Sequence, residues 1–325
     1  MSYSSATARA GANIALVKYW GKRNLELNLP ATGSISITLD ALRTETTLHP
    51  EPDARADSLE LNGQPADASR ASRVLNLMRE LAGGGPAFRI ESRNDFPTGA
   101  GLASSASAFA ALVVAADRAL DLSLPSPKLS ELARRGSGSA ARSIFGGYVE
   151  WAVGEADDGH DSVARPLLAA QRWPLKVVVA VTDSASKAVP STEGMNRTMR
   201  NSPYYPAWVD TLPADLEAAR KAIERQDFEA LAEVAEHSAL KMHASALAAR
   251  PGILYWNPAT VACIEAVRAM RQAGHAVFFT IDAGPQVKAV CLPDQVGDVA
   301  ASLAGVPGVV QVIESGLGPG AGVVA

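Results

Sequence analysis

Residues Pro97-Thr98-Gly99-Ala100-Gly101-Leu102-Ala103-Ser104-Ser105-Ala106-Ser107 combine glycines, serines and other small side chains just before an apolar run, Ala108 to Ala116. A strand-like run, Phe88 to Arg93, precedes them. A loop that turns into a helix start offers free backbone N–H groups and the positive end of the helix dipole. Such a place binds anions, phosphate above all. Small side chains let phosphate approach the backbone, and a serine hydroxyl can add a hydrogen bond or a Mg²⁺ ligand. The same composition also packs a helix tightly on a sheet, so both readings stand on local grounds. No Gly-Lys-Ser/Thr closes the segment and no Gly-x-Gly-x-x-Gly lies within it, which excludes the Walker loop and the dinucleotide fingerprint.

Other residues could join that chemistry. Asp282 ends an apolar run, Phe278-Phe279-Thr280-Ile281, and is followed by Ala283-Gly284-Pro285. It reads either as a turn-capping aspartate or as a general base held on a rigid strand end. Lys18, Lys22 and Arg23 flank Tyr19-Trp20-Gly21. A solvated surface cluster is the default for lysine, but the interleaved aromatics and the apolar strand before Lys18 weaken it. Lys18 could pair with a catalytic carboxylate, and Lys22 could meet a phosphate as a point charge. Arg142 closes a second small-residue loop, Gly136 to Ala141, where it could grip a carboxylate or phosphate bidentately or cap carbonyls. Ser137 and Ser139 could donate to the same anion or serve the turn. The histidines at 49, 160, 237, 243 and 275 are scattered and read as structural or surface groups.

These residues must be positioned by a mixed α+β scaffold. Strands are expected at 14–17, 35–39 and 44–48, a hairpin at 58–61 with Asn62-Gly63, and a helix at 69–81. The small-residue segment leads into a helix through Leu120, followed by a short helix at 129–134 and strands at 147–151 and 176–181. The second half carries helices at 214–224, 227–248 and 258–273, strands at 275–281 and 287–292, a helix at 296–303 and a strand at 309–313. That order suggests an antiparallel sheet covered by helices. Two domains, 1–183 and 184–325, are expected.

Composition narrows the class. Over 325 residues the chain is 47% hydrophobic and 20% charged, as in a soluble globular protein. A net charge of −4 gives no basic character for nucleic acid, so anionic substrates need a local basic pocket. Cys263 and Cys291 sit in apolar stretches as buried free thiols, with no disulfide or metal-ligand spacing. No apolar signal core opens the chain and no run is long enough to span a bilayer, so a cytoplasmic enzyme or binding protein is expected.

The stretch Asn13-Ile14-Ala15-Leu16-Val17-Lys18-Tyr19-Trp20-Gly21-Lys22-Arg23 resembles the N-terminal motif of the mevalonate diphosphate decarboxylases, a branch of the GHMP kinase superfamily. The segments 97–107, 136–147, Asp158-Gly159-His160-Asp161-Ser162 and 282–285 resemble later motifs, in the family's order and across most of the chain. The resemblance implies a two-domain GHMP kinase fold. Its N-terminal half is like domain 2 of ribosomal protein S5, and its C-terminal half is a ferredoxin-like α/β sandwich.

It also implies ATP- and Mg²⁺-dependent decarboxylation of (R)-5-diphosphomevalonate to isopentenyl diphosphate, in isoprenoid biosynthesis, by a cytoplasmic homodimer. By this resemblance Asp282 orients or deprotonates the 3-hydroxyl, Lys18 keeps Asp282 ionised, and Arg142 with Asn13 holds the substrate carboxylate. Tyr19, Lys22, Ser137, Ser139 and Ser191 line the diphosphate pocket. Pro97, Gly99, Ala100, Gly101, Leu102, Ala103, Ser104, Ser105 and Ala106 cradle the ATP phosphates, with Ser105 a Mg²⁺ ligand. Ala108 stands where relatives commonly carry glycine, and Thr192 where some carry arginine. Sister activities are a phosphomevalonate decarboxylase and a mevalonate 3-kinase. A non-catalytic nucleotide-binding protein on the same fold is the alternative outside enzymes, disfavoured by the joint presence of Lys18, Arg142 and Asp282.

Overall fold

The computed structural model describes residues 3–96, 104–183, 185 and 187–324. Two antiparallel-rich sheets carry the chain. The larger is built from β1 (Ala6–Val17), β4 (Ser34–Glu51), β5 (Ser58–Leu61), β6 (Gln64–Ala66), β7 (Ala87–Asn94), β8 (Tyr148–Trp151), β9 (Ala164–Leu168) and β14 (Gly322–Val323). A small hairpin, β2 (Lys22–Asn24) with β3 (Leu29–Pro30), stands beside it. The smaller sheet has the order β11 (Val277–Ile281), β12 (Val287–Cys291), β10 (Lys176–Val181), β13 (Gln311–Gly316), every pair antiparallel. Thus β10, which precedes residue 183, hydrogen-bonds within the second sheet, while β14 returns to pair with β1.

The two strands expected at 35–39 and 44–48 are one bent strand. Asn13 faces Thr38 and Gly11 faces Arg43, so residues 39–42 bulge out of register with β1. Past the bend, β4 changes its second neighbour from β8 to β7. The bulge is useful: the Asp40 carboxylate accepts from Gly316 N (2.7 Å) and from Ser315 Oγ (2.9 Å), tying the first sheet to the second. The Asn62-Gly63 turn forms as expected, both residues having positive φ (52° and 79°), as a tight hairpin turn requires.

Helices α1 (Ser69–Leu81), α2 (Ser104–Ala119), α3 (Ser126–Gly136) and α4 (Ala140–Ser143) cover one face of the larger sheet. α2 is so rich in alanine that it lies in the core on nearly all sides, against Ala8, Ala10, Leu48 and Ile90. Beyond β10 follow α5 (Ser191–Asn201), α6 (Tyr205–Arg225), α7 (Phe228–Leu247), α8 (Pro258–Gln272) and α9 (Val296–Ala304). α7 packs on both β1 and β11, between the sheets. The strand β10 is buried on both faces: Val177, Val179 and Val181 enter the core shared with α6 and α7, whereas Val178 and Ala180 enter the core under α8 and α9.

Several boundaries differ from expectation. α6 starts nine residues before 214 and carries Pro213 in its interior. α8, by contrast, starts at Pro258 as expected, on an Asn257–Thr260 capping box. α5 was not expected: it has no side-chain cap, and Met195 and Met199 are its only large apolar side chains.

Candidate active site

A cavity of about 330 Å³ lies where the two halves meet. Among the described residues, five cationic side chains line it, Lys18, Lys22, Arg70, Arg142 and Lys187, against one carboxylate, Asp282. Asn13, Tyr19, Ser104, Ser105, Ser137, Ser139 and Ser191 also line it. The cavity thus gathers most of the described residues that the sequence singled out, but not Ala106, which is buried in α2 and absent from its lining. Pro97, Gly99, Ala100, Gly101, Leu102 and Ala103 lie outside the described residues. Arg23 turns away and donates to the carbonyls of Gly154 and Ala156.

Lys18 follows the last residue of β1 and is 1% exposed, so it is no surface lysine. Its Nζ donates to Ala15 O and to Asp282 Oδ1, both at 2.7 Å. Burial lowers its pKa to about 8, against the pull of Asp282. Asp282 sits one residue past β11, 22% exposed, and Lys288 Nζ in mid-β12 stands 3.3 Å from its Oδ2. Burial opposes ionisation of Asp282, but the charges and hydrogen bonds of Lys18 and Lys288 outweigh it and hold the carboxyl far below the usual carboxylate range. The carboxylate is therefore spent on two ammoniums, and the turn-capping reading of Asp282 falls.

Arg142 lies on the single helical turn α4, not in an open loop, and is 2% exposed. Its Nε and Nη2 both donate to Asn13 Oδ1, at 3.2 and 2.9 Å, and Nη1 donates to Ser34 Oγ. Asn13 is itself fixed, giving its Nδ2 hydrogens to Ser139 O (2.9 Å) and Ser143 Oγ (2.8 Å). Among the described residues no carboxylate is in salt-bridge contact with this guanidinium, and burial pushes its pKa down to about 10. A buried guanidinium held only by neutral acceptors is prepared for an anionic ligand.

The two small-residue segments meet through serines. Ser105 Oγ lies 3.2 Å from Ser137 Oγ, which lies 3.5 Å from Ser139 Oγ. Gly138 is required there, since a Cβ would fall 2.8 Å from the Tyr19 hydroxyl. That hydroxyl is buried without a hydrogen-bond partner among the described residues, a donor left for a ligand. Gly21, at φ +116°, would drive a Cβ into the Tyr205 ring, so only glycine lets the chain turn from Lys18 to Lys22. Lys22 Nζ donates to Asn28 Oδ1 at 2.6 Å.

Sequence reasoning missed Lys187, Lys288, Arg70 and Asn28. Lys187 Nζ donates to Ser191 Oγ (2.6 Å) at the start of α5 and to Ala283 O (2.7 Å). Its pKa falls to about 8 through burial, then through repulsion from Lys288. Arg70 donates to Gly136 O at 2.8 Å and shares the cavity wall with Ser104 and Ser105. A lone lysine in Val287-Lys288-Ala289-Val290-Cys291 was the one available signal for Lys288. His243 is buried and uncharged, its pKa lowered to about 3 by burial and by Lys18. Cys263 and Cys291 are buried and free.

Residues 10–164 match the family model for the diphosphomevalonate decarboxylase-like N-terminal domain, and residues 177–314 that for the mevalonate 5-diphosphate decarboxylase C-terminal domain. The chain belongs to the diphosphomevalonate decarboxylase family. It is 39% identical over 305 residues to diphosphomevalonate decarboxylase of Saccharomyces cerevisiae, spanning 88% of this chain and 77% of that protein. The Rattus norvegicus family member is 37% identical over 320 residues, 91% of this chain and 79% of its own length. The crystal structure of mevalonate diphosphate decarboxylase from Staphylococcus aureus superposes with a TM-score of 0.93 at 38% identity, over 100% of this chain and 99% of the other. A structure described as MDDEF in complex with MVAPP, AMPPCP and magnesium gives 0.92 at 39% identity, over 99% of each chain. The mixed α+β, two-domain GHMP-type fold expected from the motifs is the fold observed.

Proposed function

We propose that this protein catalyses the ATP-dependent decarboxylation of (R)-5-diphosphomevalonate, giving isopentenyl diphosphate, ADP, phosphate and CO₂ in the mevalonate route to isoprenoids. The observation that carries this reading is the cavity with five cations around one ionised carboxylate. A diphosphate, a carboxylate and a nucleotide triphosphate together need that excess of positive charge, which a net charge of −4 does not otherwise supply.

The substrate diphosphate would lie against Tyr19, Lys22, Ser137, Ser139 and Ser191, and its carboxylate against Arg142 and Asn13. Ser104, Ser105 and Ala106 begin α2, and the free amides of that first turn would receive the ATP phosphates. A second, mostly apolar cavity of about 230 Å³ adjoins, sharing Arg70, Ser104 and Ser105 and walled by Leu59, Leu61, Ile90, Phe109 and Leu112. It suits the purine. The Ser105 hydroxyl, exposed at a helix start, fits a Mg²⁺ that takes one protein oxygen and completes its shell with phosphate and water. When bound, that ion neutralises phosphate charge and shields the transferring group.

The tertiary 3-hydroxyl would sit beside Asp282. A carboxylate this acidic does not strip a free alcohol. It orients the hydroxyl and accepts the proton as the O–P bond forms, in a transition state with loose phosphoryl character. Lys187 adds positive charge next to the transferring group. Phosphorylation turns a poor leaving group into a good one. As the C3–O bond breaks, the electron pair of the carboxyl C–C bond forms the alkene and CO₂ departs. Arg142 orients that carboxylate, and its three bonds to neutral partners keep it from gripping so tightly that CO₂ is retained.

We infer a cytoplasmic homodimer; among the described residues no helix is long and apolar enough to cross a membrane. The test is product analysis with mevalonate, its 5-phosphate and its 5-diphosphate, each with Mg-ATP. One CO₂ and one phosphate per ATP from the diphosphate support the proposal. ADP with a stable phosphorylated product, or turnover confined to the monophosphate, assigns a sister activity instead.

A further inference from the structure

We propose that Lys288 is a positioning residue for this reaction, fixing the plane of the Asp282 carboxylate by holding the oxygen that Lys18 does not. The inference rests on the reading of Asp282 given above. Lys288 is central in β12, where it pairs with Val179 on one side and Thr280 on the other. It is 1% exposed in a strand whose other residues, Val287, Ala289, Val290 and Cys291, are all apolar and buried. An ammonium there forfeits its hydration, and an apolar side chain of the same length would fill the space. The cost is met at Asp282. Lys18 Nζ donates to Oδ1 at 2.7 Å and Lys288 Nζ stands in ion-pair contact with Oδ2 at 3.3 Å, so each oxygen faces its own cation.

Lys288 is not among the residues that line the cavity, so it acts through Asp282 and not on substrate. The charged and titratable groups acting on this centre are Lys18 beyond β1, Lys288 from β12, Lys187 ahead of α5, Arg142 on α4 and the neutral His243 on α7. Of these, Lys18 and Lys288 alone are in ion-pair contact with the carboxylate among the described residues. Lys18 is anchored independently by Ala15 O, so one oxygen is tied to β1 and the other to β12. The carboxylate is thereby clamped between the two halves of the molecule. Misplacement of a reacting group by about 1 Å costs on the order of a hundredfold in rate, which is the scale such a clamp protects.

The test is Lys288→Met, with Lys288→Gln as a second variant of similar length, both screened for native unfolding temperature. Turnover is expected to fall about 10- to 100-fold, with KM for either substrate moved less than about threefold. The alkaline limb of kcat/KM should move upward, because one positive charge has left the surroundings of Lys18 and Lys187. Carboxyl-carbon NMR of Asp282, assigned with Asp282→Asn, should show its titration moving upward too. In an Asp282→Asn background the Lys288 change should add no further loss. A folded variant with native turnover, or one whose rate falls equally at every pH and multiplies with the Asp282 change, overturns the proposal. Native turnover in Asp282→Asn alone would instead sink the reading of Asp282.

Discussion

Replacing Asp282 by asparagine keeps the shape of the side chain and removes the charge between two buried ammoniums at 2.7 and 3.3 Å. Removing one partner of a buried pair costs about 3–5 kcal/mol. The Asp282 side chain is 22% exposed, which places the loss near the lower end, about 3 kcal/mol. Part of that loss is recoverable by deprotonation. Lys18 already titrates at about 8, and without Asp282 it loses its proton more readily. Because its pKa is lower folded than unfolded, its charge opposes folding at low pH and the penalty fades as pH rises past the folded value. The stability deficit of Asp282→Asn against the native protein should therefore shrink between pH 6 and pH 9. Turnover should drop more than about a thousandfold, since proton acceptor and hydroxyl orientation go together. ATP affinity should stay within a few fold, because Ser104, Ser105 and the apolar cavity are untouched. ADP release, calorimetric nucleotide binding and thermal unfolding at both pH values read all three. Unchanged turnover removes Asp282 from the mechanism, and a deficit that widens with pH refutes the electrostatic argument.

Other perturbations separate the subsites. Arg142→Lys leaves Asn13 Oδ1 and Ser34 Oγ without their fork of donors and should cost about 2–4 kcal/mol of transition-state binding, roughly 30- to 1,000-fold in kcat/KM; an effect confined to ATP affinity would misplace Arg142. With Lys18 and Lys187 both near 8, kcat/KM should decline above about pH 8, and binding of the anionic substrate at that pH should take up protons. Calorimetry in buffers of different ionisation enthalpy detects that uptake, and its absence contradicts the assignment. Away from the site, Asp57 accepts two bonds from Arg79, at 3.0 and 2.9 Å, and one from Phe88 N at 2.8 Å. Asp57→Ala should lower unfolding free energy by about 3 kcal/mol in denaturant titration, and a loss below about 1 kcal/mol would show the pair to be inert.

The chemistry of the site was more legible than its frame. Lys18, Arg142 and Asp282 announced themselves because a charge beside an apolar strand or inside a glycine-serine loop needs a reason. Lys187 and Arg70 gave no such sign: each sits in ordinary polar sequence and becomes part of the cavity only through long-range packing. Lys288 depends on register, since its meaning comes from β12 lying between β10 and β11. The bend in β4 was read as two strands because residues 39–42 break the alternation, and their partner is Ser315, far along the chain. The helix expected from 214 begins at Tyr205, and α6 tolerates Pro213 in its interior because burial of Trp208, Leu212 and Leu216 outweighs one lost backbone bond. α7 was legible from its richness in Ala, Leu, Glu and Lys, and α8 from Pro258 at the head of a helically spaced run.

The central physical claim is that the tertiary oxygen at C3 attacks the terminal phosphoryl group before CO₂ is lost. Substrate carrying ¹⁸O in the 3-hydroxyl, turned over with unlabelled Mg-ATP in ordinary water, tests it directly by mass spectrometry of the products. Label recovered in inorganic phosphate, one atom per CO₂, is the predicted result. Label released as water, with phosphate free of it, would contradict the account.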